Sequence, residues 1–378
     1  MFFLLAGIIL VLAIIPGTIE LLWLTTGALL PYKSSLKKSI DKLPTVVIIP
    51  AHNESQCIVE AIRTIKNCTG SFEVIVIADN CTDNTCELSK KEKARVIVRV
   101  DPMHMGKGYA LKYAFDFLLK ENFEIFVVID ADTQVLPNFI EVIQTEIGKG
   151  AEAIQVRYAL LNPNSSMRER FLNIAFTAFN YLRPKGRQGW GLSAGILGNG
   201  FALTKKTLQD IPYNTYSIVE DLTYHLLLVK AGKKVSFTDA TAVFAPSPSS
   251  YQGASTQRTR WEGGRLRAIW EEVPKLVKEI IRGNTRLVEP LLDLLTLPLI
   301  YHAALVGLLF FFFQNIALFA TLVILFYVGV AFKLANGTIY DAFALLLTPF
   351  YLIWKLCLLP KTLISSRKNS AWTRTKRD

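Results

Sequence analysis

The amino-acid sequence predicts an α/β domain on a mostly parallel sheet, with helices suited to a bilayer at both ends. Three observations carry this expectation. Between Thr45 and Asp130, apolar runs and helically spaced stretches alternate four times. The runs are apolar throughout instead of alternating with polar residues, as strands of a parallel sheet covered on both faces are. Hydrophobic residues make up 51% of the 378, and the excess sits at the ends: residues 1–30 carry one charge, Glu20, and residues 294–332 carry none.

The elements follow in order. Residues 3–29 are long enough to span a bilayer as a helix, which takes about 20 apolar residues, with Pro16 and Glu20 as interruptions. A cleaved signal peptide is the other reading, but there is no basic leader region and no clear small-residue cleavage site. "TVVIIP" (45–50) is a strand stopped by proline, and from Glu54 the spacing of Ile58, Ala61, Ile62 and Ile65 is helical. Strands are expected at 72–79, 95–100 and 124–130, with helices over 87–93 and 108–120 between them. Beyond the domain, 294–313 and 315–332 read as two further spans.

Charge placement orients these segments. Lys33, Lys37, Lys38 and Lys42 follow the first span, Lys275, Lys278, Arg282 and Arg286 precede the second, and Lys333 follows the third. Basic residues beside spans stay cytoplasmic. The tail after Pro360 holds six basic residues, so 341–359 is expected to be interfacial or re-entrant, with Trp354 and Lys355 at headgroup level; a fourth span with the tail outside is the alternative. The expected division is a transmembrane helix at 1–30, a cytosolic domain at 31–270, an interfacial amphipathic helix at 271–290, two transmembrane helices at 291–334, an interfacial or re-entrant helix at 341–360 and a basic cytosolic tail at 361–378. The net charge of +11 clusters near these segments, so membrane lipid headgroups explain it more simply than nucleic acid, for which there is no motif. The five cysteines form no paired metal pattern, and nothing in the sequence sets an oligomeric state.

The acidic residues are less evenly spread. Ligands of such sheets bind beyond the carboxyl ends of the strands, and Glu54, Asp79, Asp130 and Asp132 all fall there. Asp130 and Asp132, spaced i, i+2 at the end of "IFVVIDAD", share a face if the strand continues. They suit a hard cation such as Mg²⁺ or Mn²⁺, which takes its remaining ligands from a diphosphate and water; a solvated loop is the alternative. Lys107, between Gly106 and Gly108 at a helix start, suits a phosphate, or is a surface lysine on a glycine turn. Glu220 and Asp221 open an apolar helix, where acidic residues ordinarily cap, but Asp221 could also serve as a general base. Gly198, Asn199 and Gly200 allow close approach of an acceptor, or make a turn. Gln257, Arg260 and Trp261 lie in a basic helical stretch, either an interfacial helix with snorkelling arginines or a diphosphate clamp with a platform for a sugar ring.

In this order, Glu after the first strand, Asp after the second, Asp-x-Asp, Glu-Asp, then Gln-x-x-Arg-Trp before membrane helices, the chain closely resembles the membrane-integrated family 2 glycosyltransferases. These include cellulose, chitin and hyaluronan synthases and transferases acting on lipids. The resemblance covers about residues 45–270. It implies the Rossmann-like GT-A fold, a nucleotide-sugar donor (UDP-linked in this expectation), Mg²⁺ or Mn²⁺ as cofactor and a lipid or saccharide acceptor. It places Pro50, Ala51, Glu54, Asp79 and Asp130 at the nucleoside, Lys107 near the phosphates, Asp132 at the metal and Asp221 as the base of an inverting transfer. Gln257, Arg260 and Trp261, with Gly198, Asn199, Gly200 and Glu220, would face the diphosphate and the acceptor. The chain departs from the family's usual loop in "ADNCTD", where Asn80 and Cys81 replace Asp and Gly. Two variants of the function are a processive synthase that extrudes its polymer and a non-catalytic nucleotide-binding membrane subunit.

Overall fold

The computed structural model describes residues 2–31, 43–248 and 250–366; the lysines at 33, 37, 38 and 42 and most of the basic tail lie outside the described residues. The chain begins with α1 (Phe2–Ala28), then runs through β1 (Thr45–Ala51), α2 (Ile58–Lys66), β2 (Phe72–Asp79), α3 (Thr85–Lys91), β3 (Arg95–Arg99), α4 (Lys107–Leu118) and β4 (Ile125–Val128). Continuous apolar runs form these strands because both faces are covered. On one face Val47, Ile49 and Val127 pack against Ile58, Ile62 and Ile65 of α2. On the other, Val46, Ile48 and Val128 meet Leu111, Ala114, Phe115 and Leu118 of α4. Ile48 is in register with both Ile75 and Val128.

The second half adds β5 (Gln134–Val135), α5 (Phe139–Gly148), β6 (Ala153–Leu160), α6 (Met167–Thr177), a π-turn at Ala178–Leu182, α7 (Arg183–Gly189), β7 (Phe201–Thr204), α8 (Lys205–Asp210), α9 (Glu220–Lys230) and β8 (Val235–Ala245). The strand order is β3-β2-β1-β4-β7-β6-β8-β5. This corrects the expectation of a mostly parallel sheet. β3, β2, β1 and β4 are parallel, but β7 is antiparallel to both β4 and β6, and β5 is antiparallel to β8; the sheet is mixed. The reason lies in the connection. After β6 the chain leaves the sheet through α6 and α7 and returns at the carboxyl edge of β4, where Gly200 N–H donates to the Val128 carbonyl at 3.1 Å. A chain that re-enters at the edge it left can only run backwards.

The remaining helices are α10 (Tyr251–Ile281), α11 (Val288–Leu295), α12 (Leu299–Leu309), α13 (Gln314–Leu334), α14 (Ile339–Ala344) and α15 (Thr348–Ser365). The expected boundary at residue 270 falls inside α10. The stretch 294–313 does not form one helix: the chain bends by 78° between α11 and α12. Thr296 is extended, with ψ of 120°, and Pro298 caps α12; proline removes a helix donor and biases the residue before it away from helix. Three helices, Phe3–Ala28, Gln314–Leu334 and Ile339–Ser365, are long and apolar enough to cross a membrane, and the bent pair makes a fourth if counted as one.

Helix α1 is bound to the domain by two devices. Its Gly27 meets Gly186 and Gly189 of α7 backbone to backbone: a Cβ on Gly186 would lie 2.2 Å from the Leu24 carbonyl oxygen, and one on Gly27 would lie 2.3 Å from the Gly186 carbonyl oxygen. Beside this notch, buried Glu20 pairs with Arg183 at 2.6 Å and with Arg187 at 3.4 Å. Arg187 reaches Asp293 at 3.0 Å and pairs with Glu289; Arg183 also pairs with Asp293, and Arg265 lies 3.6 Å from it. Three carboxylates and three guanidiniums thus join α1, α7, α10 and α11.

Candidate functional site

The carboxyl ends of β1 and β2 form the first wall. Pro50 and Ala51 close β1, in register with Ile77 and Ala78. The following loop is tied to the loop after β2. Asn53 Oδ1 accepts from the N–H of Thr82 at 2.7 Å and of Asp83 at 3.3 Å. Ser55 N–H donates to Asp83 at 3.1 Å, and Glu54 N–H donates to Thr85 Oγ1 at 2.8 Å. Asp79 is buried and paired with Arg99 at 2.6 Å; burial pushes its carboxyl up, and the Arg99 guanidinium works against that. The two departures in "ADNCTD" have local reasons. Asn80 adopts a left-handed φ of 51°, which asparagine tolerates better than most residues, and its side chain donates to Asp79 at 3.0 Å. The Cys81 thiol donates to the Ala51 carbonyl at 3.3 Å.

The second wall is built at the end of β4. The strand stops at Val128, so Asp130 and Asp132 lie in a turn closed by Thr133 N–H donating to the Asp130 carbonyl at 3.1 Å, not on one extended strand as the spacing suggested. Lys107, the first residue of α4, follows Gly106, whose φ of +130° suits glycine. Its ammonium meets the Asp130 carboxylate and donates to the Gly198 carbonyl at 2.5 Å. Asn199 accepts from Asp130 N–H at 3.1 Å and donates to Thr133 at 2.8 Å. Gly198 is left-handed, with φ of +77°, and a Cβ there would lie 3.0 Å from an Asp221 carboxylate oxygen. Lys107, Asp130, Gly198, Asn199 and Asp221, from four separate segments, therefore converge. Glu220 beside them is buried. Burial, then the neighbouring Asp221 carboxylate, push its carboxyl up to about 8. Burial likewise raises Asp221, with Lys107 opposing. Burial works to lower the Lys107 ammonium, but Asp130, Glu220 and Asp221 outweigh it and raise it.

Two residues of this site were not singled out in the sequence. Arg99 is the partner of Asp79. Gln155, buried in β6, accepts from Leu197 N–H at 2.9 Å and donates to the Asn199 carbonyl at 2.8 Å, which shapes the 197–200 turn. A glutamine inside the apolar run "AIQVRYAL" was the available signal.

Gln257, Arg260 and Trp261 lie on α10. With about 100° per helical residue, they share a face with Gly264, and Gly264 packs on Val219 and Ile218, where a Cβ would meet Val219 at 2.9 Å. That places their face toward the segment leading into Glu220 and Asp221. Arg258, on the flank, lies over the Trp261 ring at 5.6 Å. At the end of β4 the carboxylates of Asp130 and Asp132 offer the oxygen ligands that a hard cation takes. Among the described residues no three His, Cys, Asp or Glu side chains gather to hold a metal alone, but one or two carboxylates are what such an ion takes when a diphosphate and water complete its shell.

Residues 46–210 match the family model described as Glycosyl transferase family 2. Over that stretch, which is less than half of the chain, the sequence is similar to the family 2 glycosyltransferases. The chain is 26% identical over 255 residues to the probable glycosyltransferase YdaM of Bacillus subtilis, covering 64% of this chain and 60% of that protein. Identity is 28% over 147 residues to the polyprenol monophosphomannose synthase of Mycolicibacterium smegmatis, covering 37% of this chain and 54% of the relative. The chain thus spans less than two thirds of these two relatives. Among solved structures, the mannosyltransferase PcManGT from Pyrobaculum calidifontis, in complex with GDP-Man and Mn²⁺, superposes with a TM-score of 0.56 at 15% identity, over 96% of this chain and 97% of that one. That likeness in fold extends beyond residues 46–210.

Proposed function

We propose that the protein is a membrane-embedded, inverting glycosyltransferase that moves a sugar from a nucleotide sugar to a lipid acceptor at the cytosolic face. The observation that carries this reading is the convergence of Lys107, Asp130, the Gly198 carbonyl and Asp221 on one spot beyond the strand ends, beside the paired loops of Glu54 and Asp79. Those loops take the nucleoside. Lys107 and Asn199 engage Asp130, and Asp132, two residues on at the same strand end, is the carboxylate assigned to the metal. A Mg²⁺ or Mn²⁺ ion held there supplies positive charge at the departing diphosphate. Arg260, on the α10 face turned toward α9, adds a second positive group to it.

Asp221 takes the proton of the acceptor hydroxyl, whose oxygen attacks the anomeric carbon. The bond to the nucleoside diphosphate breaks on the opposite side, so the configuration inverts. Burial raises the Asp221 carboxyl above the ordinary aspartate range, which makes it a stronger base than a free carboxylate. The lipid acceptor is supported by the apolar helices bordering the domain and by the likeness to the polyprenol monophosphomannose synthase. The basic residues from Lys275 to Arg286 and at Lys333 support a cytosolic face. Three or four candidate spans among the described residues favour single transfer over extrusion of a polymer.

The deciding experiment uses purified protein with radiolabelled GDP-mannose and UDP-glucose and native membrane lipids as acceptors. Asp221→Asn should lower kcat by about 10²–10⁴-fold while leaving Kd for the nucleotide within about twofold. Unchanged turnover in this variant removes Asp221 from the chemistry.

A further inference from the structure

The apolar helix α15 holds one charged residue at its centre. Lys355 is 1% exposed, while Phe350, Ile353, Leu356 and Leu363 of the same helix face outward. Its ammonium pairs with Glu262 of α10 and lies 5.3 Å from the Tyr301 ring centroid. The Tyr301 hydroxyl donates to the Lys355 carbonyl at 3.0 Å. A buried lysine is costly to keep unless it is paired. The location of its partner gives the charge a purpose.

Glu262 directly follows Trp261 and lies about 160° around α10 from Arg260. Gly263 lies on the flank of α10, about 100° round from Glu262, and a Cβ there would lie 2.7 Å from Ser365 Oγ. One turn on, Arg267 donates to the Ser366 carbonyl at 3.2 Å. Helix α10 is thus clasped from two sides. Gly264 sets Gln257, Arg260 and Trp261 toward the approach to α9, while α15 holds the face opposite Arg260 through Glu262 and the flank through Gly263. A helix with side chains reaches about 5–6 Å from its axis, so a rotation of about 20° displaces a side chain by about 2 Å. That is enough to break a hydrogen bond, which tolerates only a few tenths of an ångström.

We propose that Lys355, acting through Glu262, is a positioning residue that fixes the rotation of α10 and so aims Arg260 at the diphosphate. The C-terminal helix is then part of the donor site's support and not merely an anchor. This rests on the reading of Arg260 as a diphosphate clamp, and the test separates the two.

Full-length protein in lipid nanodiscs with Mn²⁺ is titrated calorimetrically with UDP, UMP, GDP and GMP. The monophosphates occupy the nucleoside loops but lack the second phosphate. Lys355→Met and Glu262→Gln should each weaken binding of the preferred diphosphate by about tenfold, the loss of a charge-assisted contact, and leave its monophosphate within about twofold. Lys355→Arg should restore the diphosphate affinity. Retained monophosphate binding also reports an intact fold, and Glu262→Gln removes the pair without altering α15. Equal weakening of both nucleotides, or weakening of neither, overturns the proposal. Arg260→Ala is the control. If it abolishes the preference for diphosphate and Lys355→Met does not, only the role of α15 is lost. If Arg260→Ala keeps the preference, or the unmodified protein binds neither UDP nor GDP, the underlying reading of the site is lost with it.

Discussion

Glu220 and Asp221 stand side by side on the first turn of α9, within reach of a single ammonium, and at this scale the site is a problem of charge. Lys107 faces three carboxylates, from Asp130, Glu220 and Asp221. Glu220 answers by holding its proton. Its carboxyl is raised from 4.5 to about 8, so between those values the folded chain keeps a proton that the unfolded chain releases. Stability from this group is full at low pH and is lost as pH rises through about 8. The thermal midpoint of the nucleotide-free protein should therefore fall between about pH 5 and about pH 9, and Glu220→Gln should flatten that fall; identical profiles for both proteins contradict the assignment. The acidic residues of this site were visible in the sequence because each ends a strand or opens a helix. Arg99 and Gln155 were not, because their partners are fixed by strand register and loop closure. Arg99 meets Asp79 only because β3 lies beside β2 with Asp79 opposite Arg99.

Helices and strands were legible where one segment determines its own environment. The runs 45–50 and 72–79 are apolar on both faces and became β1 and β2; the spacing of Ile58, Ile62 and Ile65 became the buried side of α2. What could not be read were relations set by paths through other elements. The reversed β7 depends on where α7 ends, and the break before α12 depends on Pro298 overriding a sequence apolar enough to continue. The joint between α1 and α7 is of the same kind, since its glycines lie far apart in the chain and signal nothing separately. It makes a sharp prediction. Gly186→Ala would press a methyl against the Leu24 carbonyl, and overpacking of this sort costs about 1–3 kcal/mol. Thermal unfolding in detergent should show the loss, and an unchanged midpoint would mean that α1 shifts away freely.

Across the whole molecule, the six-charge cluster ties the first apolar helix to the domain and to α11. Glu20 looked like a blemish in an otherwise apolar stretch, and its meaning appears only with Arg183 and Arg187 beside it. Glu20→Gln leaves buried guanidiniums short of one counter-charge, and breaking such a pair costs about 3–5 kcal/mol. The expected result is a large drop in thermal midpoint; a variant as stable as the unmodified protein would show that Asp293 and Glu289 suffice. The cluster also sets a timetable. Arg183 is made 163 residues after Glu20, which at ribosomal rates of about 5–20 residues per second is a delay of about 10–30 s. In the membrane-embedded reading, the nascent first helix waits that long with an acid among lipids and no base to meet it, so the anchor is finished by the domain it carries.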